Sequence, residues 1–198
     1  KSTGSIVITE PAELSISEGS HTNITCHGAS TGSITVNVTG GTANYMYKIN
    51  SGSYSAATSA TSKTFSNLAA GSYVITVKDN CGVEKSTGSI VITEPAELSI
   101  SEGSHTNITC HGASTGSITV NVTGGTANYQ YKITGGSYGT ATSSTSKTFD
   151  GLTAGTYVIT VKDNCGVEKS TASIVITEPA ELSISEGSHT NITCHGAS

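Results

Sequence analysis

The side chains able to do chemistry are few and recur at fixed intervals. Cysteines stand at Cys26, Cys81, Cys110, Cys165 and Cys194, and histidines at His21, His27, His105, His111, His189 and His195. A thiol between two imidazoles could present metal ligands on a loop, but a cysteine in a disulfide offers no thiolate, and no CxxC pair is present for a zinc site. Regularly paired cysteines in a Ser/Thr-rich chain point to disulfides instead. All five are therefore disulfide candidates, and no residue is assigned to a metal. Aspartate occurs only at Asp79, Asp150 and Asp163, and no GxSxG elbow or phosphate-binding glycine loop stands between a strand and a helix. No catalytic residues are expected, and no cofactor. One oxygen-rich spot remains, where Glu94 and Glu97 could converge with Asp163 and Asn164 on calcium; that ion takes six to eight oxygens, and no dense Asp motif supplies them.

These residues are spaced by a repeat. The segment beginning KSTGSIVITEPAEL at Lys1 returns at Lys85 and, with Ala172 in place of glycine, at Lys169, so one period runs from Lys1 to Glu84. A unit of that length can close a small core of its own, unlike the shorter repeats of solenoids. Within one period, apolar residues alternate at Ile34, Val36 and Val38, at Tyr45, Tyr47 and Ile49, at Tyr73, Ile75 and Val77, and at Ile90 and Ile92, with Leu14, Ile16 and Ile24 supplying a first strand. Period two marks half-buried strands, and Gly40-Gly41, Asn50-Ser51-Gly52, Ala70-Gly71 and Asp79-Asn80-Cys81-Gly82 mark the turns between them. No stretch carries a helical period with caps. About seven short strands per period predict an all-β fold of tandem immunoglobulin-like β-sandwich modules. A tyrosine following a glycine-containing corner, Tyr73 and its copy Tyr157, fits the tyrosine corner of such sandwiches.

Boundaries are expected at Glu10-Pro11, Glu94-Pro95 and Glu178-Pro179, because proline ends a ladder and keeps its predecessor extended. The expected organisation is residues 1–11 as the last strand of a preceding repeat, 12–95 and 96–179 as two modules, and 180–198 as the first strand of a following repeat. The linker has no residue suited to reversing the chain, which predicts a head-to-tail rod gaining about 40 Å per module.

The cysteine pairing follows less directly. Within a module, Cys26 and Cys81 would close a loop of about 55 residues. In a seven-stranded sandwich, however, the first turn and the last hairpin lie at opposite poles, further apart than the less than about 7 Å that a bridge tolerates between Cα atoms. The far pole of one module faces the near pole of the next, so a Cys26 to Cys165 bridge across the junction is the alternative. A Cys81 to Cys110 bridge would need a chain reversal at EPAEL.

Composition narrows the partners. About a third of the chain is Ser or Thr, only 12% is charged, the formal net charge is −5, and arginine and tryptophan are absent. Without arginine forks, nucleic acid is not an expected partner. No apolar run reaches the roughly 18 residues of a membrane span. The copies differ almost wholly between residues 46 and 72 and their counterparts, including Met46 against Gln130 and Asn67 against Gly151. That face is the expected ligand-contact surface, through Tyr54 and Tyr138.

The run CHGASTGSITVNVTGGTANYMYKI from Cys26, then LAAGSYVITVKDNCG and SIVITEP, resembles the SprB repeat of Bacteroidota surface proteins. It shares the Cys-x-Gly, Gly-Gly-x-x-x-Tyr and Ala-Gly-x-Tyr landmarks; the usual Asp-Ala-Asn-Gly-Cys turn stands here as Asp79-Asn80-Cys81-Gly82, with the cysteine earlier. The resemblance implies a large cell-surface adhesin exported by the type IX system and moved by the gliding machinery. The chain is thus read as an extracellular stalk or adhesin filament whose immediate partners are neighbouring repeats of the same chain. The other readings are an array of carbohydrate-binding modules gripping surface polysaccharide by avidity and self-assembly through edge strands.

Overall fold

The computed structural model describes residues 4–191. It is all-β, with two immunoglobulin-like sandwich modules in tandem. The first contains β1 (Ser15–Thr22), β2 (Gly32–Thr39), β3 (Met46–Ile49), β4 (Ser62–Leu68), β5 (Gly71–Tyr73), β6 (Ile75–Lys78), β7 (Glu84–Ser86) and β8 (Ile90–Ile92). The second repeats them as β9 (Ser99–Thr106), β10 (Gly116–Thr123), β11 (Gln130–Ile133), β12 (Ser146–Leu152), β13 (Gly155–Tyr157), β14 (Ile159–Lys162), β15 (Glu168–Ser170) and β16 (Ile174–Ile176). Among the described residues no helix is long and apolar enough to cross a membrane.

One layer is the antiparallel sheet β1-β2-β4, the other is β3-β6-β7, and a short β5-β8 ladder flanks them; the second module has the same orders. Central β2 explains the packing. Its β-branched Ile34, Val36 and Val38 point inward in strict alternation and meet Tyr47, Ile75 and Val77 from the opposite layer. Such side chains suit a pleated half-buried surface, and full burial of each contributes about 1.5–3 kcal/mol. The two cores are separate clusters, one running from Leu14 to Ile92 and the other from Leu98 to Ile176.

Two features go beyond the apolar pattern. Strand β4 reads SKTFSNL, without an alternating signal, and forms because it pairs with β2 at the sheet edge, giving only Phe65 and Leu68 to the core. The run from Gly71 to Lys78 is divided, its first part pairing with β8 and its second with β3 and β7. At the division, the Tyr73 hydroxyl donates to the Ala69 carbonyl at 2.9 Å, and Tyr157 does the same to Thr153 at 2.9 Å. That bond back to the upstream backbone is the tyrosine-corner geometry. The copies also swap residues compatibly: Asn67 and Gly151 occupy one turn position, with φ of 59° and 71°, where these two residue types tolerate the left-handed region.

Candidate functional site at the module junction

The near pole of each module is organised by one buried carboxylate. Asp79, only 3% exposed, follows β6; its Oδ1 accepts the N–H groups of Cys81 and Val83, each at 2.9 Å, and its Oδ2 accepts that of Thr42 at 3.0 Å. The Thr42 N–H, ahead of burial and of the other backbone donors, leaves the carboxyl below the usual carboxylate range. The hairpin closes with Gly82 donating to the Asp79 carbonyl at 3.0 Å, Gly82 itself having a φ of 84°. The result is a rigid turn that presents Cys81 outward. Asp163 builds the same turn beneath Cys165, accepting from Cys165 at 3.0 Å, Val167 at 2.9 Å and Thr126 at 3.0 Å.

The linker between the modules is held from both sides. On the first module, Ile24 donates to the Thr93 carbonyl at 2.9 Å and the Asn23 side chain accepts the Thr93 N–H at 2.9 Å. Gly28 donates to Glu94 Oε2 at 2.6 Å, and His27 Nδ1 lies 2.9 Å from the Pro95 carbonyl. On the second module, Gly125 donates to the Ala96 carbonyl at 2.8 Å and Lys169 bonds Glu97 at 2.7 Å. That lysine, first by its hydrogen bond and then by its charge, holds the Glu97 carboxyl low, and His27 adds to the effect. The linker divides at Pro95, which has no N–H to satisfy. The glycine pair also does more than turn: a Cβ on Gly124 would lie 2.1 Å from the Glu97 carbonyl oxygen, so the linker backbone occupies the space a side chain would need.

Direct contacts then cross from module to module. Thr126 donates its hydroxyl to the Thr25 carbonyl. Beside it, Cys26 and Cys165 are joined in a disulfide, with Cα–Cα 5.8 Å. Cys81 and Cys110 are exposed free thiols, Cys81 lying 3.3 Å from Thr42 Oγ1 just as Cys165 lies 3.3 Å from Thr126 Oγ1. Cys194 and His195 lie outside the described residues.

The other singled-out residues are placed apart. His21 and His105 pair with Glu18 and Glu102 along their own strands, while His27 and His111 turn to Pro95 and Pro179. Glu94, Glu97 and Asp163 are each taken by different protein donors, and Asn164 donates its backbone N–H to Thr126. Among the described residues no three His, Cys, Asp or Glu side chains gather as a metal site. Tyr54 lies with Lys48 and Lys78 at 4.6 and 5.7 Å from its ring centroid, and Tyr138 has Lys132 and Lys162 both at 4.4 Å. Burial raises both phenols. Neither hydroxyl has a partner at hydrogen-bonding distance, although Tyr54 approaches Glu84 closely enough to be the main influence holding that carboxyl low. The rings are dressed by cations rather than offered as bare platforms.

In the sequence Glu94 and Asp163 read as oxygen ligands for calcium and Asp79 and the glycine pair as plain turn residues, whereas in the fold Glu94 hooks Gly28, Asp79 and Asp163 organise the hairpins and the glycine pair grips the linker. The available signal was recurrence, since two of the three aspartates occupy one repeat position and EPAE stands intact at each linker.

No curated protein matches the chain in sequence. Among solved structures it is similar to three N-terminal domains of the bacteriophage RB49 highly immunogenic outer capsid protein, at 17% identity over 84% of this chain and 59% of that one, with a TM-score of 0.44. It is similar also to a C-terminal intimin fragment in complex with the intimin-binding domain of its translocated receptor, at 14% identity, 86% and 64% coverage and a TM-score of 0.34. A third is the BSP domain of a biofilm associated protein, at 18% identity, 84% and 30% coverage and a TM-score of 0.29. The chain spans less than two thirds of each, and at such scores these likenesses carry no further argument. The family comparison is specific: the SprB repeat matches residues 19–53 and again 103–137, a span that holds β2, β3 and the glycine pair in each module. The chain thus carries two SprB repeats, one in each sandwich.

Proposed function

We propose that the chain is a length of an exported cell-surface filament, with modules at 12–95 and 96–179 acting as stiff spacers that hold an adhesive element away from the cell. The observation that carries this reading is the junction: every linker residue from Thr93 to Glu97 except the pivot Pro95 bonds one module or the other, and Pro95 still offers its carbonyl to His27. A joint gripped on both sides resists bending, which suits a rod. The SprB repeats support placement at a Bacteroidota cell surface, with type IX export and a part in attachment during gliding. Immunogold labelling of intact cells with antibody against this chain, combined with deletion of the repeat array, tests the reading. Label on extended surface fibres and loss of attachment to glass are expected; intracellular label or unchanged attachment overturns it.

The carbohydrate-binding alternative rests on the Tyr54 and Tyr138 face. Stacking on sugars wants an uncovered ring, and the flanking lysines make that face better suited to an acidic polysaccharide. A glycan array on the two-module chain separates the readings, since a stalk leaves every spot empty.

A further inference from the structure

We propose that the Cys26–Cys165 bridge is a tension bypass, which keeps the central strands of both modules out of the load path when the chain is pulled from its ends. The bridge spans 139 residues of sequence, and that closed loop contains β2–β8 of the first module and β9–β14 of the second. Load entering at the first residues runs to Cys26, crosses one S–S bond, and leaves from Cys165. Only β1, β15 and β16 lie outside the loop. They can peel from β2, β14 and β13, but the core strands β2, β6, β10 and β14 cannot be drawn out while the bridge holds.

The geometry gives a length. The bridge takes 139 of the 198 residues out of the load path. At about 3.5 Å per extended residue the remainder allows about 200 Å of end-to-end extension, against about 690 Å for the unbridged chain. A bridge inside one module, Cys26 to Cys81, would close only about 55 residues and allow about 500 Å. The two free thiols carry the pattern further, because Cys81 is presented by the same carboxylate-organised hairpin as Cys165, and Cys110 occupies the loop position of Cys26. Wherever neighbouring copies of the repeat pair in this register, load enters a module at its hairpin cysteine and leaves at the next loop cysteine, from Cys81 to Cys110 or from Cys165 to Cys194. Each advance of two repeats then yields about 100 Å when fully drawn out, close to the folded length of about 80 Å. Such a filament is nearly inextensible even where its modules open.

The pairing is independent of what the filament attaches to, so the bypass can fail while the proposed function stands, and the reverse. Single-molecule pulling of the full chain through peptide-ligated termini tests it, first on the native sequence and then with Cys81→Ser, Cys110→Ser and Cys194→Ser combined. An extension limit of about 200 Å is expected in both. It should rise to about 690 Å after a dithiol reductant converts the disulfide to two thiols and is itself oxidised to its cyclic disulfide. A native limit of about 500 Å or about 310 Å, for one or two within-module bridges, overturns the proposal, as does a triple variant that reaches about 690 Å without reductant. Non-reducing peptide mapping of the triple variant gives the second readout. Residues 79–85 and 163–169 both read DNCGVEK, so the native chain cannot distinguish them, whereas the variant must yield the Cys26–Cys165 peptide.

Discussion

Residues 94–106 and 178–190 have one sequence, EPAELSISEGSHT, and two conformations. In the first, Leu98 is 2% exposed and the chain continues into β9, paired along its length with β10. In the second no strand forms, and Leu182 and Ile184 are 96% and 99% exposed. What survives in both is local or points backward. His189 still meets Glu186 at 2.7 Å as His105 meets Glu102. Glu178 still accepts from Gly112 at 2.7 Å, and Pro179 still accepts His111. Among the described residues no strand lies beside the second segment as β10 lies beside the first. Two contributions separate here. The hook onto the preceding module needs nothing downstream, whereas the strand exists only when a partner offsets the ordering entropy through ladder bonds and a core for its leucine.

Substitutions at matched positions should split most widely at the leucines. Leu98→Ala is expected to destabilise the second module by about 2–5 kcal/mol through lost burial and a residual cavity, whereas Leu182→Ala should stay within about 0.5 kcal/mol. Urea unfolding of both variants decides; equal effects would erase the distinction. Next is the glycine of the strand. Gly103→Ala sets a Cβ 2.7 Å from Asn121 Nδ2 and 3.3 Å from the Thr119 carbonyl oxygen and should cost about 1–3 kcal/mol. Gly187→Ala, in the strandless copy and with nothing within 4 Å of the added Cβ, should be neutral, as a paired thermal melt would show.

The backward hook should behave alike in both copies. Glu94→Ala and Glu178→Ala each remove the acceptor of a glycine N–H, costing about 1 kcal/mol apiece. Hydrogen exchange should quicken at Gly28 in one variant and at Gly112 in the other. A response confined to Gly28 would mean that the hook depends on the following module after all.

The smallest effect is with pH. Asp79, Glu13 and Glu97 all have carboxyls held below their usual range, the first chiefly by the Thr42 N–H and the others by Lys85 and Lys169. A depressed folded pKa gives stability that is complete above the unfolded value and is lost as pH falls through the folded one. The melting temperature should therefore hold through neutral pH and decline below about pH 4. Asp79→Asn should flatten that decline for the first module, and an unaltered acid limb would remove the carboxylate from the account.

Much of the sandwich is legible in the sequence because burial writes itself as period two. Ile34, Val36, Val38, Tyr47, Ile75, Val77, Ile90 and Ile92 all read as inward and are all buried. Strand β4 is not legible, because an edge strand needs only backbone pairing and can be built from Ser, Lys and Thr. The proline-marked linkers are legible from the chemistry of proline, but the division of labour between Glu94 and Glu97 is not, because both are plain acidic residues until their opposite neighbours are known. Tyr54 and Tyr138 read as a contact face, and nothing local announces that lysines from two other strands come to lie beside each ring.

By itself, then, the sequence determined the repeat length, the β character and the inward residues. These follow from local stereochemistry and from the partition of apolar side chains. Tertiary structure decided which identical segment becomes a strand, and which of the four cysteines among the described residues meet, because both depend on groups brought near from far along the chain. Cys26 and Cys165 are 139 residues apart in sequence and 5.8 Å apart at Cα, a proximity produced by two folded modules and the joint between them.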